Sequence, residues 1–240
     1  MRDAWKLAAA AAVLLSTSTS AWGVVCTPGT LTDYIGYGAG GCTLGDTTFS
    51  RFTPLASAPA STPLDPSSVS VAPFFGGGIT GLALVLASNA SAGDALEVFF
   101  SFEAASGATD RFVHGKVEMV GASATGDGAV TVVDDLCLGG SFSAAPLGCA
   151  GTAETVIAFA IEGDSGLLAG LDVAPSRAFI ARAVDIVVDG GLTGTAGLES
   201  VRISFTTERQ STTVPEPTAL ALMGIGLAGL GRAVARARRA

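Results

Sequence analysis

Short stretches in which apolar and polar residues alternate recur from Thr47 onward, separated by clusters of Gly, Asp, Ser and Asn at 76–78, 88–94 and 121–128. Alternation with a period of two is typical of strands with one face buried and the other in solvent. The Pro- and Ser-rich stretch 54–66 is predicted to be a loop. The clearest runs are Val98, Phe100 and Phe102; Val113, Val117 and Met119; Val130 and Val132; Ile157, Phe159 and Ile161; Ile180, Val184, Ile186 and Val188; and Val201, Ile203 and Phe205. Roughly eight to ten such strands, with no helix-length segment between them, predict an all-β fold, an antiparallel β-sandwich that is jelly-roll-like.

One short helix is predicted on the N-terminal side of these strands. Thr30 and Asp33 have the spacing of a capping box, in which each side chain satisfies a backbone N–H of the other residue. Leu31 and Tyr34 follow helical spacing, and the Gly-rich run 36–41 ends the helix.

The four cysteines form two pairs that are close in sequence, Cys26 with Cys42 and Cys137 with Cys149. Four cysteines allow three pairings, and the local pairing closes the shortest loops, each of which contributes about 3 kcal/mol in a chain-entropy description. A zinc site would usually show C-x-x-C spacing, and these gaps are too long for it. Acylation of Cys26 is the lipoprotein alternative, but Val25 is larger than the residue wanted before such a cysteine. The pattern therefore favours two disulfides in an exported protein.

The first residues have the features of a secretory signal peptide. Arg2 and Lys6 are basic, residues 7–15 are apolar, and the small residues at 21 and 23 form a site for signal peptidase. The apolar run is too short to span a bilayer. We therefore expect residues 1–23 to be a signal helix that is removed, and residues 24–210 to form the β-sandwich domain.

Residues 214–240 combine a rigid Pro215-Glu216-Pro217 element, an uncharged run over 218–231, and an Arg-rich segment over 232–239. This arrangement resembles the PEP-CTERM sorting signal of Gram-negative bacteria, which a membrane protease-transpeptidase called an exosortase recognises. Arginines after an apolar segment would keep that end in the cytoplasm. The alternative is an ordinary C-terminal anchor in which Pro-Glu-Pro occurs by coincidence.

The resemblance implies roles for the matching residues. Pro215, Glu216 and Pro217 would be the recognition element within a sorting signal that covers 211–240. A hydrophobic helix over 218–235 would anchor the chain transiently, with Arg232 extending toward the interface because the uncharged run alone is short against the roughly 20 residues of a full span. The protein would be exported through the inner membrane to the cell envelope, the cell surface or the extracellular matrix.

Charge excludes one class of partner. The net formal charge is −8, but six of the 13 Lys and Arg residues lie outside 24–231 and only Asp3 of the 21 acidic residues does, so 24–231 carries −13. Such a surface repels nucleic acid and anionic headgroups, while it tolerates cations and polar sugars. We expect no nucleic-acid partner, and the resemblance adds extracellular polysaccharide as a candidate partner.

A serine hydrolase is the first alternative function. Gly163-Asp164-Ser165-Gly166 is similar to the nucleophile motif of chymotrypsin-like serine proteases, and the single histidine, His114, precedes it in the order that those enzymes use. The sequence departs from that family at Leu167, where those proteases have a second glycine after the serine. It also departs in the strand-like surroundings of His114. The same four residues are also typical of a turn.

The acidic residues Asp127, Asp134, Asp135, Asp185 and Asp189 offer two further alternatives, a Ca²⁺-binding or a carbohydrate-binding module. Solvated loop charge explains them as well, and no pair of carboxylates stands out for a glycan-active hydrolase. We therefore expect no catalytic residue, no metal and no cofactor. The resemblance implies an exported, non-catalytic protein with a structural or adhesive role in exopolysaccharide or biofilm.

Overall fold

The computed structural model describes residues 24–144 and 147–210. The predicted signal peptide over 1–23 and the predicted sorting signal over 211–240 lie outside the described residues.

The described chain is built almost entirely from strands, with one α-helix, α1 (Leu31–Gly36), and one 3₁₀ turn (Pro66–Ser68). Both helical segments within the described ranges are much shorter than a helix that crosses a membrane. The strands are β1 (Val24–Val25), β2 (Gly29–Thr30), β3 (Cys42–Leu44), β4 (Thr47–Pro54), β5 (Thr62–Pro63), β6 (Ser70–Gly76), β7 (Ile79–Ser91), β8 (Ala95–Ala105), β9 (Asp110–Val120), β10 (Ser123–Thr125), β11 (Ala129–Leu138), β12 (Phe142–Ala144), β13 (Leu147–Cys149), β14 (Thr152–Ile161), β15 (Asp164–Gly166), β16 (Leu168–Arg177), β17 (Phe179–Asp189) and β18 (Thr195–Arg209).

Two sheets contain nearly all of these strands. The first sheet has the order β1-β3-β4-β8-β17-β11-β14-β15, with β5 also paired to β8, and the second has the order β16-β9-β18-β7-β6-β2, with β10 paired to β18. Strands β12 and β13 form a separate hairpin. The long strands all pair antiparallel, and parallel pairing is confined to two-residue contacts at β1 and β5.

The topology is that of a jelly roll. Eight long strands divide into two groups of four, β8-β17-β11-β14 in the first sheet and β7-β18-β9-β16 in the second. The chain passes repeatedly from one group to the other, and this arrangement of two Greek keys confirms the predicted antiparallel sandwich. Strands β4 and β6 extend the two sheets at the edges formed by β8 and β7.

The core lies between the two sheets and contains every alternating residue of four of the six runs, together with two of the three in β9. Buried members include Val98, Phe100, Phe102, Val117, Met119, Val130, Val132, Ile180, Val184, Ile186, Val188, Val201, Ile203 and Phe205. Burial of this apolar surface is the main stabilising contribution to such a fold.

The run in β14 lies on the opposite face from the core. Val156, Ala158 and Ala160 are buried, whereas Ile157 and Ile161 are 54% and 46% exposed. Ile157, Phe159 and Ile161 do share a face, but that face points outward, and the alternate residues Val156, Ala158 and Ala160 face the core.

A β-bulge changes the phase of β9. Phe112 pairs with Thr207 and His114 with Thr206, which leaves Val113 as an extra residue. An extra residue shifts the following side chains to the other face. Phe112 is therefore fully buried and Val113 is not, so the predicted grouping of Val113 with Val117 was wrong.

Helix α1 forms as the capping box predicts. The Thr30 hydroxyl accepts a hydrogen bond from the Asp33 N–H, and the Asp33 carboxylate accepts one from the Thr30 N–H. Tyr34 is buried, and its hydroxyl donates to the carbonyl of Thr27. Its ring packs edge-on against Phe52 at 5.2 Å between centroids, so the helix covers one end of the core.

Candidate functional site

The predicted recognition element, Pro215, Glu216 and Pro217, lies outside the described residues. Most of the remaining predicted residues lie in the strands described above.

Both predicted disulfides are present. Cys26 joins Cys42 with a Cα–Cα distance of 4.9 Å, and Cys137 joins Cys149 at 5.4 Å. Both distances are ordinary for a disulfide. The first bridge occupies the Sγ atom of Cys26 that a lipoprotein would acylate at that residue, and the four thiols are bonded in pairs rather than arranged around a metal.

The serine-protease motif is divided between the two sheets. Ser165 lies in β15, at the edge of the first sheet, where it pairs with Ala160. His114 lies in β9 of the second sheet, and its Nδ1 is 2.9 Å from Oδ1 of Asp172 on β16. Within the described ranges, no hydrogen bond joins His114 to Ser165, although a nucleophile and its general base need one.

Asp134 has a structural partner in the core, so the prediction of solvated loop charge was wrong for this residue. Its carboxylate and the Arg182 guanidinium are both fully buried and form a two-point ion pair. Arg182 also donates to the carbonyl of Ser204 at 3.1 Å and to that of Lys116 at 3.3 Å. These carbonyls belong to the second sheet, so the ion pair links the two layers.

Three carboxylates lie on the outer face of the first sheet. Glu97 is 2% exposed and accepts hydrogen bonds from the Ala58 N–H and the Ser61 hydroxyl, which attach the loop after β4. Burial, and after it the nearby Glu97 and Asp135 carboxylates, together raise the pKa of the Asp185 carboxyl to about 6. A proton shared within this group relieves the repulsion of like charges.

Asp127 stabilises a turn. Its carboxylate accepts hydrogen bonds from the N–H groups of Leu192 and Thr193 and from the Thr193 hydroxyl. The Thr193 and Leu192 N–H groups lower the pKa of Asp127 to about 2. Asp189 similarly accepts from the N–H of Gly191 in the same turn. Across the part of the chain that the structure describes, no group of three or more His, Cys, Asp or Glu residues is arranged to hold a metal ion.

A groove of about 350 Å³ lies on the outer face of the first sheet. Its floor spans two neighbouring strands, because Glu103 on β8 lies opposite Ala181 on β17. Ser101 is the neighbour of Glu103 on the same face of β8 and also lines the floor. Small side chains at Ala181 and Ser101 leave the depression open. We call this depression, lined by Arg51, Ser101, Glu103, Ser141, Phe142 and Ala181, the first-sheet groove.

Each wall of the first-sheet groove is attached by a disulfide. On one side the turn at Gly38 and Ala39 follows α1, and the Cys26–Cys42 bridge fixes the strand after it. On the other side the segment at Ser141 and Phe142 begins the β12–β13 hairpin, whose end at Cys149 is bonded to Cys137. Each wall of the groove is thus covalently tied to another segment of the chain by a disulfide.

Arg51 is held in an uncommon backbone conformation at the rim of the groove. Its φ is +54°, and its N–H donates to the carbonyl of Gly38 at 2.9 Å. Its guanidinium Nε is 3.2 Å from Oε2 of Glu103, with 62% of the Arg51 side chain exposed. Non-glycine residues at positive φ are strained, and such strain is often found at functional sites.

Sequence reasoning missed the first-sheet groove, because its residues come from five separate segments of the chain. One signal was present. Phe49 and Phe52 are both apolar at a spacing of three within a strand, which requires a bulge at the residues between them. That bulge contains Arg51.

Comparison with known protein families identifies a sorting motif in this chain. Residues 213–239 match the PEP-CTERM protein-sorting motif, and they include the Pro-Glu-Pro element at 215–217. Neither the curated proteins nor the solved structures contain a match to this chain. The chain therefore carries a PEP-CTERM sorting motif, the signal of exported proteins that an exosortase sorts to the cell envelope or surface.

Proposed function

We propose that the protein is a non-catalytic structural or adhesive component of the cell envelope or extracellular matrix, with a role in exopolysaccharide or biofilm. The observation that carries this proposal is the sorting motif at 213–239, joined to a jelly-roll body with two disulfides. A body of this kind withstands an oxidising exterior, because each bridge restricts the unfolded chain.

The surface of the body supports a role outside the cell. The charge of −13 over 24–231 keeps the protein soluble and away from anionic lipid headgroups. The placement of Ser165 and His114 in different sheets supports a non-catalytic role. Signal peptidase and exosortase would act on the chain during export, and the segment 218–235 would hold it in the membrane only until processing.

Intact-mass measurement on envelope and medium fractions of the producing cells tests this proposal. We expect a mass that lacks the signal peptide and the segment after about residue 217, less four hydrogens for the two disulfides. A mass that retains the Arg-rich segment 232–239 would contradict exosortase processing. Hydrolysis of a protein or glycan substrate that disappears in Ser165→Ala would contradict the non-catalytic role.

A further inference from the structure

The first-sheet groove presents hydrogen-bonding groups that the protein itself leaves unused. Within the described residues, the Ser101 hydroxyl and the Oε1 atom of Glu103 have no hydrogen-bond partner in the protein. Arg51 approaches Glu103 through Nε, and its side chain is 62% exposed. Donors and acceptors therefore converge on one depression, which is of the size that small ligands occupy in proteins.

The charges in the groove select against charged ligands. An anion would approach Arg51 but would also meet Glu103, whose side chain is only 14% exposed, and Asp135 lies two strands away on the same face. A cation would meet the Arg51 guanidinium at the rim. The groups that suit both residues are hydroxyls, because a hydroxyl donates to a carboxylate and accepts from a guanidinium.

Shape supports the same ligand class. The floor is lined by the small side chains of Ala181 and Ser101, and Phe142 adds an aromatic ring to the lining. A pyranose or furanose ring has hydroxyls at its edge and C–H groups on its faces, which match a polar floor beside an aromatic ring. The two disulfides hold both walls in place, so little conformational entropy is lost when a ligand binds.

We propose that the first-sheet groove is a binding site for a neutral, hydroxyl-rich saccharide unit. Arg51 donates to ligand hydroxyls, Glu103 accepts from them, and Ser101 does both. This inference deepens the proposed function and rests on it only for the source of the saccharide, a polysaccharide outside the cell.

The strained backbone of Arg51 allows a variant that separates binding from folding. Glycine adopts a φ of +54° without strain, so Arg51→Gly removes the guanidinium while relieving the backbone. We expect its Tm to fall by no more than about 4 °C, because relief of the strained backbone offsets part of the cost of leaving the largely buried Glu103 carboxylate without Arg51. Glu103→Gln is a second variant that retains the size of the side chain. Arg202→Gln, at an exposed arginine of the second sheet, is the matched control.

The test is binding of the envelope-purified protein to an array of neutral, amino and uronic-acid oligosaccharides, followed by calorimetric titration with the neutral oligosaccharide retained best. We expect Arg51→Gly and Glu103→Gln each to weaken binding by about tenfold or more, and Arg202→Gln to change it less than about twofold. Retention of charged glycans only, no binding at millimolar saccharide, or unchanged binding by both groove variants would overturn the inference. The intact-mass and fractionation results would stand in each case, so failure of the site is distinguishable from failure of the proposed sorting and location.

Discussion

At the scale of single residues, the most consequential pair is Asp134 with Arg182. Both side chains are fully buried between the sheets, and the Arg182 guanidinium lies 4.9 Å from the centroid of the Phe205 ring. A buried charge loses its hydration, so burying it is tolerated only when an oppositely charged or hydrogen-bonding partner compensates for that loss. The guanidinium has several partners, since it also donates to carbonyls of Ser204 and Lys116.

We predict that Arg182→Met lowers the free energy of unfolding by about 3–5 kcal/mol, because it leaves the Asp134 carboxylate buried and unpaired. The double variant Arg182→Met with Asp134→Leu should recover most of this loss, since apolar residues of similar volume need no hydration. Urea unfolding followed by circular dichroism measures both. If the double variant were as unstable as the single one, the cost would come from lost packing and from the Ser204 and Lys116 carbonyls that lose a donor, rather than from an unpaired charge.

Asp185 should make stability depend on pH. Its pKa in the folded protein is raised from the ordinary 3.8 to about 6, first by burial and then by Glu97 and Asp135. The folded state therefore holds the proton more tightly than the unfolded chain. The corresponding stability is complete below about pH 4 and is lost as the pH rises through 6.

We predict that Asp185→Asn, which keeps the side chain neutral, matches the parent protein at pH 4 and raises Tm by roughly 2–4 °C at pH 7.5. This is the change expected for about 1 kcal/mol, a value reduced because Asp185 is only half buried. Asp164→Asn, at an exposed aspartate of β15, should change Tm at neither pH. Equal stabilisation by Asp185→Asn at both pH values would show that its carboxyl does not titrate in this range.

The alternating pattern places Asp134 and Arg182 at buried positions, but it does not show that they pair with each other. Asp134 follows Val130 and Val132 at even spacing, and Arg182 lies between Ile180 and Val184, so both were in phase with buried positions. Charged residues are rarely buried unless they are paired, and each strand taken alone shows no partner for its charge. The pairing became visible only when β11 and β17 were known to be neighbours.

At the scale of elements, bulges decide which side chains reach the core. The extra residue at Val113 turns Phe112 inward, where its ring lies 4.8 Å from that of Phe205. We predict that Phe112→Ala lowers the free energy of unfolding by about 3–5 kcal/mol, as loss of a buried aromatic ring does. Val113→Ala should cost less than about 1 kcal/mol. Comparable losses in the two variants, measured by urea unfolding, would contradict the bulge.

Elements with local signals were predictable, and those set by distant contacts were not. The capping box and the Gly-rich helix end depend on a few neighbouring residues, and the structure contains both. The loop predicted over 54–66 was wrong at β5, because those two residues pair with the distant strand β8. The outward direction of Ile157 depends instead on β14 being paired to β11, with alanines toward the second sheet. The first-sheet groove is the extreme case, since its lining comes from five segments that are separated in sequence.

At the scale of the whole molecule, the sandwich followed from strand number and spacing, because many short amphipathic strands can bury their apolar faces only against a second sheet. The order of strands within each sheet required the structure. The two disulfides were predictable for a different reason, since local pairing has the smallest loop-closure entropy among the three alternatives. The two bridges lie at the two walls of the first-sheet groove, so together they constrain segments on both sides of the first sheet's outer face.

We predict that the disulfides supply a large share of the total stability. The bridges close loops with sequence separations of 16 and 12, and each should contribute about 3 kcal/mol against a total that for natural domains is about 5–15 kcal/mol. Guanidinium unfolding with and without reductant should show a lower free energy of unfolding for the reduced protein. Two double variants, Cys26→Ala with Cys42→Ala and Cys137→Ala with Cys149→Ala, each keep one bridge. Reductant should therefore destabilise each of them by about the contribution of its remaining bridge.

A parent protein whose unfolding midpoint is unchanged by reductant would show that the sheets alone stabilise the body. A clear loss would mean instead that the fold reaches full stability only after export into an oxidising compartment, which is where the sorting motif sends it.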